Sequence, residues 1–542
     1  MDIHGDNSFK AKSYAAAAFT IEKLPMQLSE TPHDKIYSIR GIGDAIGKKI
    51  IEQLETGTLL LLQEYLQKTP EGILVMLSIK GIGPKKIATI WKELTIETVG
   101  ELLYACNENR LANYKGFGEK SQQNIKEAIE FYMGSLGSFL YQQVESFTLN
   151  LHENLVQQFP ENKFAIAGSF AQQSEIISEL SWVTTANFTV LTDYFSLQGL
   201  LPKIISDAQI CFEGPSILAI NFYSSSTENF YSNLFKHTCS ESFLEEWNQL
   251  TNWNENENYS SEEAIFETYG LSFIPSYRRE NKMILKQAEG KILAPVIQYN
   301  DIKGIIHSHS KWSDGAETIE SMARAAIEKG LEYLVMSDHS KSAFYANGLS
   351  EEKIESQHQQ IDELNKKLYP FRIFKSIESD ILNDGSLDYD DDVLSNFDLV
   401  IASIHSNLKM TEEKAMTRLI NAIENPFTSI LGHMTGRLLL SRNGYPVDHA
   451  KVIDACLAND VVIELNAHPR RLDIDWRWIE KALDKGLTIS INPDAHSIEG
   501  YEDCRYGVLV AQKAGLTKEQ NLSSYTLSAF ERFLIGQHQK RN

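Results

Sequence analysis

Short apolar segments in the C-terminal half of the chain are repeatedly followed by histidine or carboxylate side chains. Residues 304 to 306 lead into His307 and His309, and the apolar residues 333 to 336 lead into a segment that ends in His339. The sequence between them has helical periodicity, so the region predicts a right-handed strand–helix–strand unit. His307 and His309 are two residues apart, so in an extended segment both side chains point from one face. Folds of this kind place their chemistry at the carboxyl ends of strands, which is where these side chains fall.

Six histidines and three carboxylates are candidates of this kind, and nearly all of them lie at the carboxyl ends of predicted strands. Imidazole nitrogens bind Zn, Fe or Mn, and carboxylates bridge ions and accommodate Mn or Mg. One such histidine is more often an ordinary core or surface residue, but nine ligand-type side chains predict a cluster of divalent ions. The nine residues are His307, His309, Asp314, His339, Glu378, His405, His433, Asp494 and His496.

The segments that carry these residues are HSHS with a following DG, SDHS, IESDI, SIHS, GHMTGR and PDAH. They resemble the motif set of the PHP (polymerase and histidinol phosphatase) phosphoesterases over about residues 300 to 542. The resemblance implies a distorted (β/α)7 barrel with three divalent ions, which would be Mn, Zn or Fe. It implies three ligand sets: His307, His309, Glu378 and Asp494; Glu378, His405 and His433; and Asp314, His339 and His496. The members of the first set are also candidate catalytic residues.

Two arginines near these segments are candidates for contacts with a substrate. Arg437 follows His433 and could donate to a phosphate, because a guanidinium offers paired donors; a salt bridge at the barrel rim is the alternative. Arg471 follows a further predicted strand and is a second candidate for phosphate or DNA contact. His468 lies in the same segment and is not expected to bind metal.

A Gly-x-Gly pattern occurs three times in the N-terminal region, between segments of helical periodicity. Glycines allow close approach of the backbone, and amides at the start of the next helix can face a phosphate. The pattern resembles helix-hairpin-helix motifs, which grip the DNA backbone without reading sequence. For any one copy, a tight turn that binds nothing is the alternative. The candidate DNA-binding residues are Gly41, Gly43, Gly81, Gly83, Lys85, Gly116 and Gly118.

Residues 1 to 300 resemble the core of bacterial and archaeal family-X DNA polymerases, which often carry a C-terminal PHP domain. The resemblance implies a multidomain α/β chain. Its regions would be an all-α helix-hairpin-helix region at 1–135, an α+β palm at 136–230, a thumb-like region at 231–295 and the barrel at 300–542. Lys49 falls where eukaryotic relatives carry a Schiff-base lysine, so it is a candidate lyase residue, although an exposed helical lysine is usually only solvated.

The palm departs from the family pattern where it would hold metal. Residues 164 to 169 match the family's strand and Gly-Ser turn. The expected Asp-x-Asp is replaced by residues 179 to 181, which include Glu179, and the third aspartate is replaced by Ala219. Two-metal phosphoryl transfer needs carboxylates that hold both ions, so we expect a palm fold that has lost its polymerase chemistry.

Length and composition fit this organisation. A chain of 542 residues suggests three or four domains, and no apolar run approaches the ~20 residues of a membrane span. Five cysteines without a Cys-x-x-Cys pair favour a reducing cytoplasm. The net charge is −22, but residues 1–150 contain 16 basic and 18 acidic side chains, so most of the acidity lies elsewhere. Bound cations would offset part of it.

These features predict a DNA-binding, metal-dependent phosphodiesterase. We expect a monomeric, Mn-stimulated 3′→5′ exonuclease that acts in repair on gapped or 3′-recessed DNA. One alternative is an active gap-filling polymerase, which the overall resemblance favours and the palm residues oppose. The others are a small-molecule phosphomonoesterase and a non-catalytic binder of DNA ends; the hairpin repeats oppose the former and the complete ligand set opposes the latter.

Overall fold

The computed structural model describes all residues except 25, 108–110, 113, 136, 215–216, 281–282, 290–292, 441–442 and 542. The chain divides into two compact units, residues 1–136 and 137–542. Within the described ranges, no helix combines the length and the apolar character that crossing a membrane requires.

The first unit is helical. Its core contains Ile73, Met76, Ile87, Ile90 and Leu102, which are all buried. The helices of its described part are α1 (Ser8–Glu22), α2 (His33–Ile36), α3 (Asp44–Thr56), α4 (Leu60–Gln67), α5 (Glu71–Ser78), α6 (Pro84–Lys92), α7 (Val99–Asn107) and α8 (Gly118–Ser135).

The first two Gly-x-Gly sequences form the turns between helices that the repeat predicts. Gly41 and Gly81 adopt φ values of 93° and 100°, which favour glycine. Gly43 and Gly83 then precede the first residues of α3 and α6 with extended backbone. In the third copy, Gly116 has a φ of 97°, but part of the preceding connection lies outside the described residues.

The second unit begins with an α+β region. Its elements are β1 (Phe139–Leu140), α9 (Tyr141–Gln158), β2 (Phe164–Ala167), α10 (Gly168–Ala171), β3 (Ile176–Ile177), β4 (Glu179–Thr184), α11 (Phe188–Ser196), β5 (Leu201–Ser206), β6 (Gln209–Gly214) and β7 (Ile217–Ser224). Five of the strands form a sheet in the order β2-β4-β7-β6-β5, and the core beside it contains the buried side chains of Trp182, Phe195, Phe212 and Phe222.

A helical region with an aromatic core follows the sheet. It comprises α12 (Phe230–Thr238), α13 (Glu241–Thr251), α14 (Glu262–Thr268) and α15 (Met283–Glu289). The last of these helices, α15, packs into this core through Ile284, Leu285 and Ala288. The fully buried Arg279 bridges the same core and pairs with Glu262 at 2.5 Å.

The C-terminal region is a nearly closed barrel of seven parallel strands, which confirms the predicted (β/α)7 fold. Its strands are β8 (Gly304–Ile305), β9 (Tyr333–Met336), β10 (Arg372–Asp380), β11 (Leu399–Ser403), β12 (Thr428–Leu431), β13 (Val462–Asn466) and β14 (Ile489–Asn492). Their order in the sheet is β14-β13-β12-β11-β10-β9-β8. Its helices are α16 (Ile319–Glu328), α17 (Glu351–Lys367), α18 (Asp391–Leu394), α19 (Glu412–Glu424), α20 (His449–Ala458), α21 (Trp476–Asp484), α22 (Cys504–Lys513) and α23 (Leu527–Lys540). A bridge between Ser308 and Ala495 links the segments beyond the two edge strands.

Candidate metal centre

Glu378 stands at the centre of the ligand-type side chains. It lies near the carboxyl end of β10 and is fully buried. Its Oε1 atom is 3.2 Å from the Nε2 atoms of both His307 and His405, and 3.1 Å from that of His433. Its Oε2 atom is 2.9 Å from Nδ1 of His339. One carboxylate therefore faces imidazoles from four different segments of the barrel.

Three overlapping groups of side chains have the spacing of metal ligands, with potential ligand atoms within 4.8 Å of one another. The groups are His307, His309, Glu378 and Asp494; His309, Asp314, His339 and His496; and His339, Glu378 and His405. The first is the first ligand set expected from the sequence. The second contains the expected third set together with His309. In the third group His339 takes the place of His433, although His433 also contacts Glu378.

The backbone beyond β8 differs from the extended segment that we expected. His307 has a φ of 67°, in the left-handed region, so the simple alternation of a strand does not apply there. The backbone is held by hydrogen bonds from His309 N to Ala495 O (2.8 Å) and from Ala495 N to His307 O (3.2 Å). Both imidazoles nevertheless reach Asp494 Oδ1, His307 at 3.4 Å and His309 at 3.1 Å.

Partners on the far side of the imidazole rings fix which nitrogen can bind an ion. The Nδ1–H groups of His307 and His405 donate to Glu464 Oε2 (2.6 Å) and Asp380 Oδ1 (3.1 Å). The Nδ1–H of His496 donates to a backbone oxygen at 2.9 Å. Each Nε2 lone pair is then directed into the cluster, which is the usual arrangement for metal-binding histidines.

Sequence reasoning missed Glu464 and Asp380 as functional residues. Glu464 is fully buried in β13 and accepts four hydrogen bonds, the others coming from His433 N (3.0 Å), Asn466 (3.2 Å) and Asn492 (2.8 Å). The sequence did contain a signal for Glu464, which is a charged residue within the apolar run of β13. A buried carboxylate needs hydrogen-bond or ionic partners, so such a residue indicates a polar site.

A further buried carboxylate, Asp338, shapes the loop that carries His309. It accepts hydrogen bonds from the backbone and hydroxyl groups of Ser310 and Ser313, and from Nε2 of Gln357 at 2.7 Å. Burial raises the pKa of Asp338 despite these hydrogen bonds. Asp338 therefore stabilises the loop, and residues next to it in sequence or space supply the potential metal ligands.

The donor set fits divalent cations. Nε2 of His307 and Oε2 of Glu378 are buried and form no hydrogen bond of ordinary geometry, although each faces a neighbouring ligand-type atom, at 3.2 Å and 2.9 Å. A buried polar atom without a good hydrogen bond costs about 1–3 kcal/mol, and a cation bound between these atoms would remove that cost. The groups contain imidazole and carboxylate but no thiolate, a combination that suits Mn, Fe or Zn.

Burial and neighbouring charges shift the pKa values of these groups. Burial opposes ionisation of Glu378, but His405 and other imidazoles hold its pKa well below the usual value. Burial likewise opposes charge on His405, yet Glu378 and Asp380 raise its pKa to about 10. Against a similar burial effect, Asp314 and a second carboxylate raise the pKa of His496 to about 9. The imidazoles of His405 and His496 therefore retain protons that a bound cation would displace.

Three family models match parts of the chain. They are a helix-hairpin-helix domain over residues 1–59, a SAM-like helix-hairpin-helix tandem over residues 73–130 and a PHP domain over residues 306–468. The chain is 32% identical to the DNA polymerase/3′-5′ exonuclease PolX of Bacillus subtilis, over 98% of this chain and 96% of the relative. The chain belongs to the PolX family.

Part of the chain is also similar to smaller proteins. A probable phosphatase of Thermoanaerobacter is 28% identical over 40% of this chain and 89% of its own length. A probable phosphatase of Caldanaerobacter subterraneus is 29% identical over 35% of this chain and 74% of its own length. The PHP match ends at residue 468, yet the fold brings Asp494 and His496 into the cluster.

Other predicted site residues have defined surroundings. Arg437 donates to Asp475 Oδ2 (3.0 Å), to Arg471 O (3.0 Å) and to a second backbone oxygen, as in the barrel-rim alternative. These contacts give no support to Arg437 as a phosphate ligand.

The candidate lyase residue Lys49 is paired with a carboxylate. Its Nζ atom is 2.5 Å from Glu52 Oε2, and this hydrogen bond raises the pKa of Lys49. Because an attacking amine must be deprotonated, the pairing disfavours a lyase role.

The five-stranded sheet brings together the positions at which the sequence departs from the family pattern. Strands β4 and β7 are parallel neighbours, and Glu179 pairs in register with Ala219. Glu179 accepts a hydrogen bond from Asn221 at 3.0 Å. In the part of the chain that the structure describes, groups of three or more metal-ligating side chains occur only in the barrel.

Proposed function

We propose that the barrel is a metal-dependent phosphodiesterase that removes nucleotides from the 3′ end of DNA. The observation that carries this proposal is the set of three overlapping ligand groups, two of which contain the buried carboxylate of Glu378. The 3′-5′ exonuclease activity in the name of the Bacillus subtilis relative supports the direction of hydrolysis. The two helix-hairpin-helix matches support DNA as the substrate.

We assign the nine ligand-type residues that the sequence predicts to a cluster of up to three ions, which would be Mn, Zn or Fe. Such ions, when bound, lower the pKa of a coordinated water and neutralise a phosphate. The chain itself holds and orients this group. Glu378 faces the imidazoles, and Asp494 contacts those of His307 and His309. Glu464 and Asp380 orient His307 and His405.

For the N-terminal unit we propose contacts with the DNA backbone through the glycine turns. In the first two copies, Gly43 and Gly83 stand before the exposed starts of α3 and α6, where amides can face a phosphate. Lys85 lies in the first turn of α6 and adds a positive charge there. Gapped or 3′-recessed duplex as substrate, and a monomeric enzyme, are part of this proposal.

We further propose that the palm no longer polymerises nucleotides. Glu179 is one carboxylate where the family pattern expects three, and its register partner Ala219 offers no ligand. The division of the second unit into palm, thumb-like and barrel regions is also part of this proposal. Each of these regions is built around a hydrophobic core of its own.

Hydrolysis by variants tests the main proposal. A 5′-labelled single strand and a 3′-recessed duplex would be incubated with Mn and with wild type, Glu378→Gln, His339→Ala or Asp392→Asn. Asp392 is an exposed carboxylate of the same barrel and serves as a control. We expect stepwise shortening from the 3′ end by wild type and Asp392→Asn only. Undiminished hydrolysis in both ligand variants would refute the assignment.

A second candidate is a phosphomonoesterase, which the similarity of the barrel to probable phosphatases favours. Comparing 4-nitrophenyl phosphate with the labelled oligonucleotide separates the two candidates. Turnover of the monoester without shortening of the DNA would favour the second.

A further inference from the structure

Two arginines at the rim of the barrel differ in how their donors are used. Arg437 uses all three nitrogens of its side chain. Nε donates to the backbone oxygen of Arg471, one terminal nitrogen donates to Asp475, and the other donates to the backbone oxygen of Leu472 and to Glu175. Glu175 lies in the palm, 3.4 Å from the guanidinium. Arg437 therefore fixes the backbone at residues 471 and 472.

The guanidinium of Arg471, in contrast, donates no hydrogen bond to any residue that the structure describes. Its closest charged neighbour is Asp494, whose Oδ2 atom is 3.8 Å from Nε. The side chain of Arg471 is 21% exposed, whereas that of Asp494 is 9% exposed. Arg471 thus lies between solvent and a residue of the metal cluster, and its donors can reach a ligand there.

A role for Arg471 in merely orienting Asp494 does not fit these contacts. Oδ2 of Asp494 already accepts a hydrogen bond from Asn466 at 3.1 Å, and Oδ1 faces His309 at 3.1 Å. Both carboxylate oxygens therefore have closer partners than Arg471.

The loop that presents Arg471 is tightly held. Arg471 N and Leu472 N both donate to His468 O, at 2.7 and 3.1 Å, and His468 N donates to Asn466 Oδ1 at 3.1 Å. Leu439 N also donates to Arg470 O at 2.6 Å. A side chain presented on a fixed backbone loses less freedom when it binds a ligand.

We propose that Arg471 binds a non-bridging oxygen of the substrate phosphate beside the metal cluster, and that Arg437 is a positioning residue that holds the Arg471 backbone. A guanidinium presents paired donors that match a phosphate, and a partly dehydrated site strengthens such hydrogen bonds. This inference rests on the proposed function, whose phosphate-containing substrate it specifies. It also gives the palm a structural role, because Glu175 is one of the groups that hold Arg437.

The test uses Mn-loaded full-length protein and two measurements. The first is equilibrium binding of thymidine 5′-monophosphate by calorimetry, and the second is hydrolysis of its 4-nitrophenyl diester. The variants are Arg471→Ala, Arg471→Lys and Arg470→Ala. Arg470 is the exposed neighbour of the same charge and controls for general electrostatic attraction. Metal content and thermal unfolding are measured for each variant.

We expect Arg471→Ala to weaken nucleotide binding and to lower kcat/KM at least about tenfold, since hydrogen bonds between charged groups have this magnitude. Arg471→Lys should recover only part of the loss, and Arg470→Ala should change either quantity less than about twofold. Equal losses in Arg470→Ala and Arg471→Ala, unchanged binding in Arg471→Ala, or loss of metal from that variant would each overturn the inference. Nucleotide binding that depends on Arg471 in a protein without diester hydrolysis would support the inference while refuting the proposed function.

Arg437→Ala tests the positioning role separately. We expect weaker nucleotide binding with unchanged metal content, and Arg437→Lys should not restore it, because one ammonium cannot reach the several partners of the guanidinium. Nucleotide binding by Arg437→Ala at the wild-type level would exclude that role.

Discussion

Replacing Glu464 by glutamine should weaken metal binding even though Glu464 is not a proposed ligand. The two oxygens of this carboxylate accept hydrogen bonds from His307 Nδ1 and Asn492 on one side, and from His433 N and Asn466 on the other. A glutamine amide has only one oxygen. Whichever way it is turned, its NH2 group faces two donors on one side.

The expected magnitude follows from this mismatch. If two buried donors lose their acceptor at about 1–3 kcal/mol each, the free energy of unfolding falls by about 2–6 kcal/mol. If the amide instead donates to Nδ1 of His307, the proton of the imidazole moves to Nε2, and that nitrogen can no longer bind an ion. Removing such a partner typically weakens metal affinity 10- to 100-fold, which is about 1.4–2.7 kcal/mol.

Titration of the protein with Mn in competition with a chelator measures the affinity, and elemental analysis measures the bound metal. The control is Asp388→Asn, because Asp388 is also buried and accepts hydrogen bonds from Ser342. Asp388→Asn should lower stability while retaining Mn affinity. Wild-type Mn affinity in Glu464→Gln would refute the role assigned to this carboxylate.

Three further predictions concern pH, DNA binding and stability. Since the pKa values of His405 and His496 are raised to about 10 and about 9, their protons must leave when an ion binds. Mn affinity should therefore rise steadily from about pH 6 to about pH 9, with proton release in calorimetry; an affinity independent of pH would contradict this. Gly83 has a negative φ and open space at its Cβ position, so Gly83→Ala should leave the thermal unfolding temperature unchanged but weaken DNA binding in fluorescence anisotropy. Equal DNA affinity would argue against close approach of this turn to DNA. Glu262→Gln leaves the buried Arg279 with a weaker partner and should lower the free energy of unfolding by about 2–4 kcal/mol in urea, with metal content unchanged. A change below about 0.5 kcal/mol would contradict it.

Local patterns predicted the elements of the barrel well. The helix expected between the first two strands of the barrel is α16, which Thr318 caps by accepting a hydrogen bond from Ser321 N. The strand expected at residues 333 to 336 is β9 with the same bounds. Both are set by short-range periodicity and caps, which a sequence displays directly.

The finer geometry of the cluster depends on contacts between distant segments. The left-handed backbone at His307 is held by hydrogen bonds with Ala495, which lies in the loop that follows β14, the last strand of the barrel. Glu464 meets His307 across more than a hundred residues of sequence, and Arg437 meets Glu175 across an even longer separation. No local pattern encodes these pairings. The sequence therefore shows that Glu464 is a charged residue in an apolar strand and that Arg437 suits a salt bridge at the barrel rim, but it does not show which residues they contact.

The central claim is that the barrel hydrolyses DNA from its 3′ end while the palm is inactive. A 5′-labelled gapped duplex incubated with Mn, with and without deoxynucleoside triphosphates, tests both halves of this claim in one gel. We predict shortening of the labelled strand under both conditions, and no shortening by His339→Ala. Extension of the strand when triphosphates are present would contradict the account, because it would require other carboxylates to complete a polymerase site around Glu179.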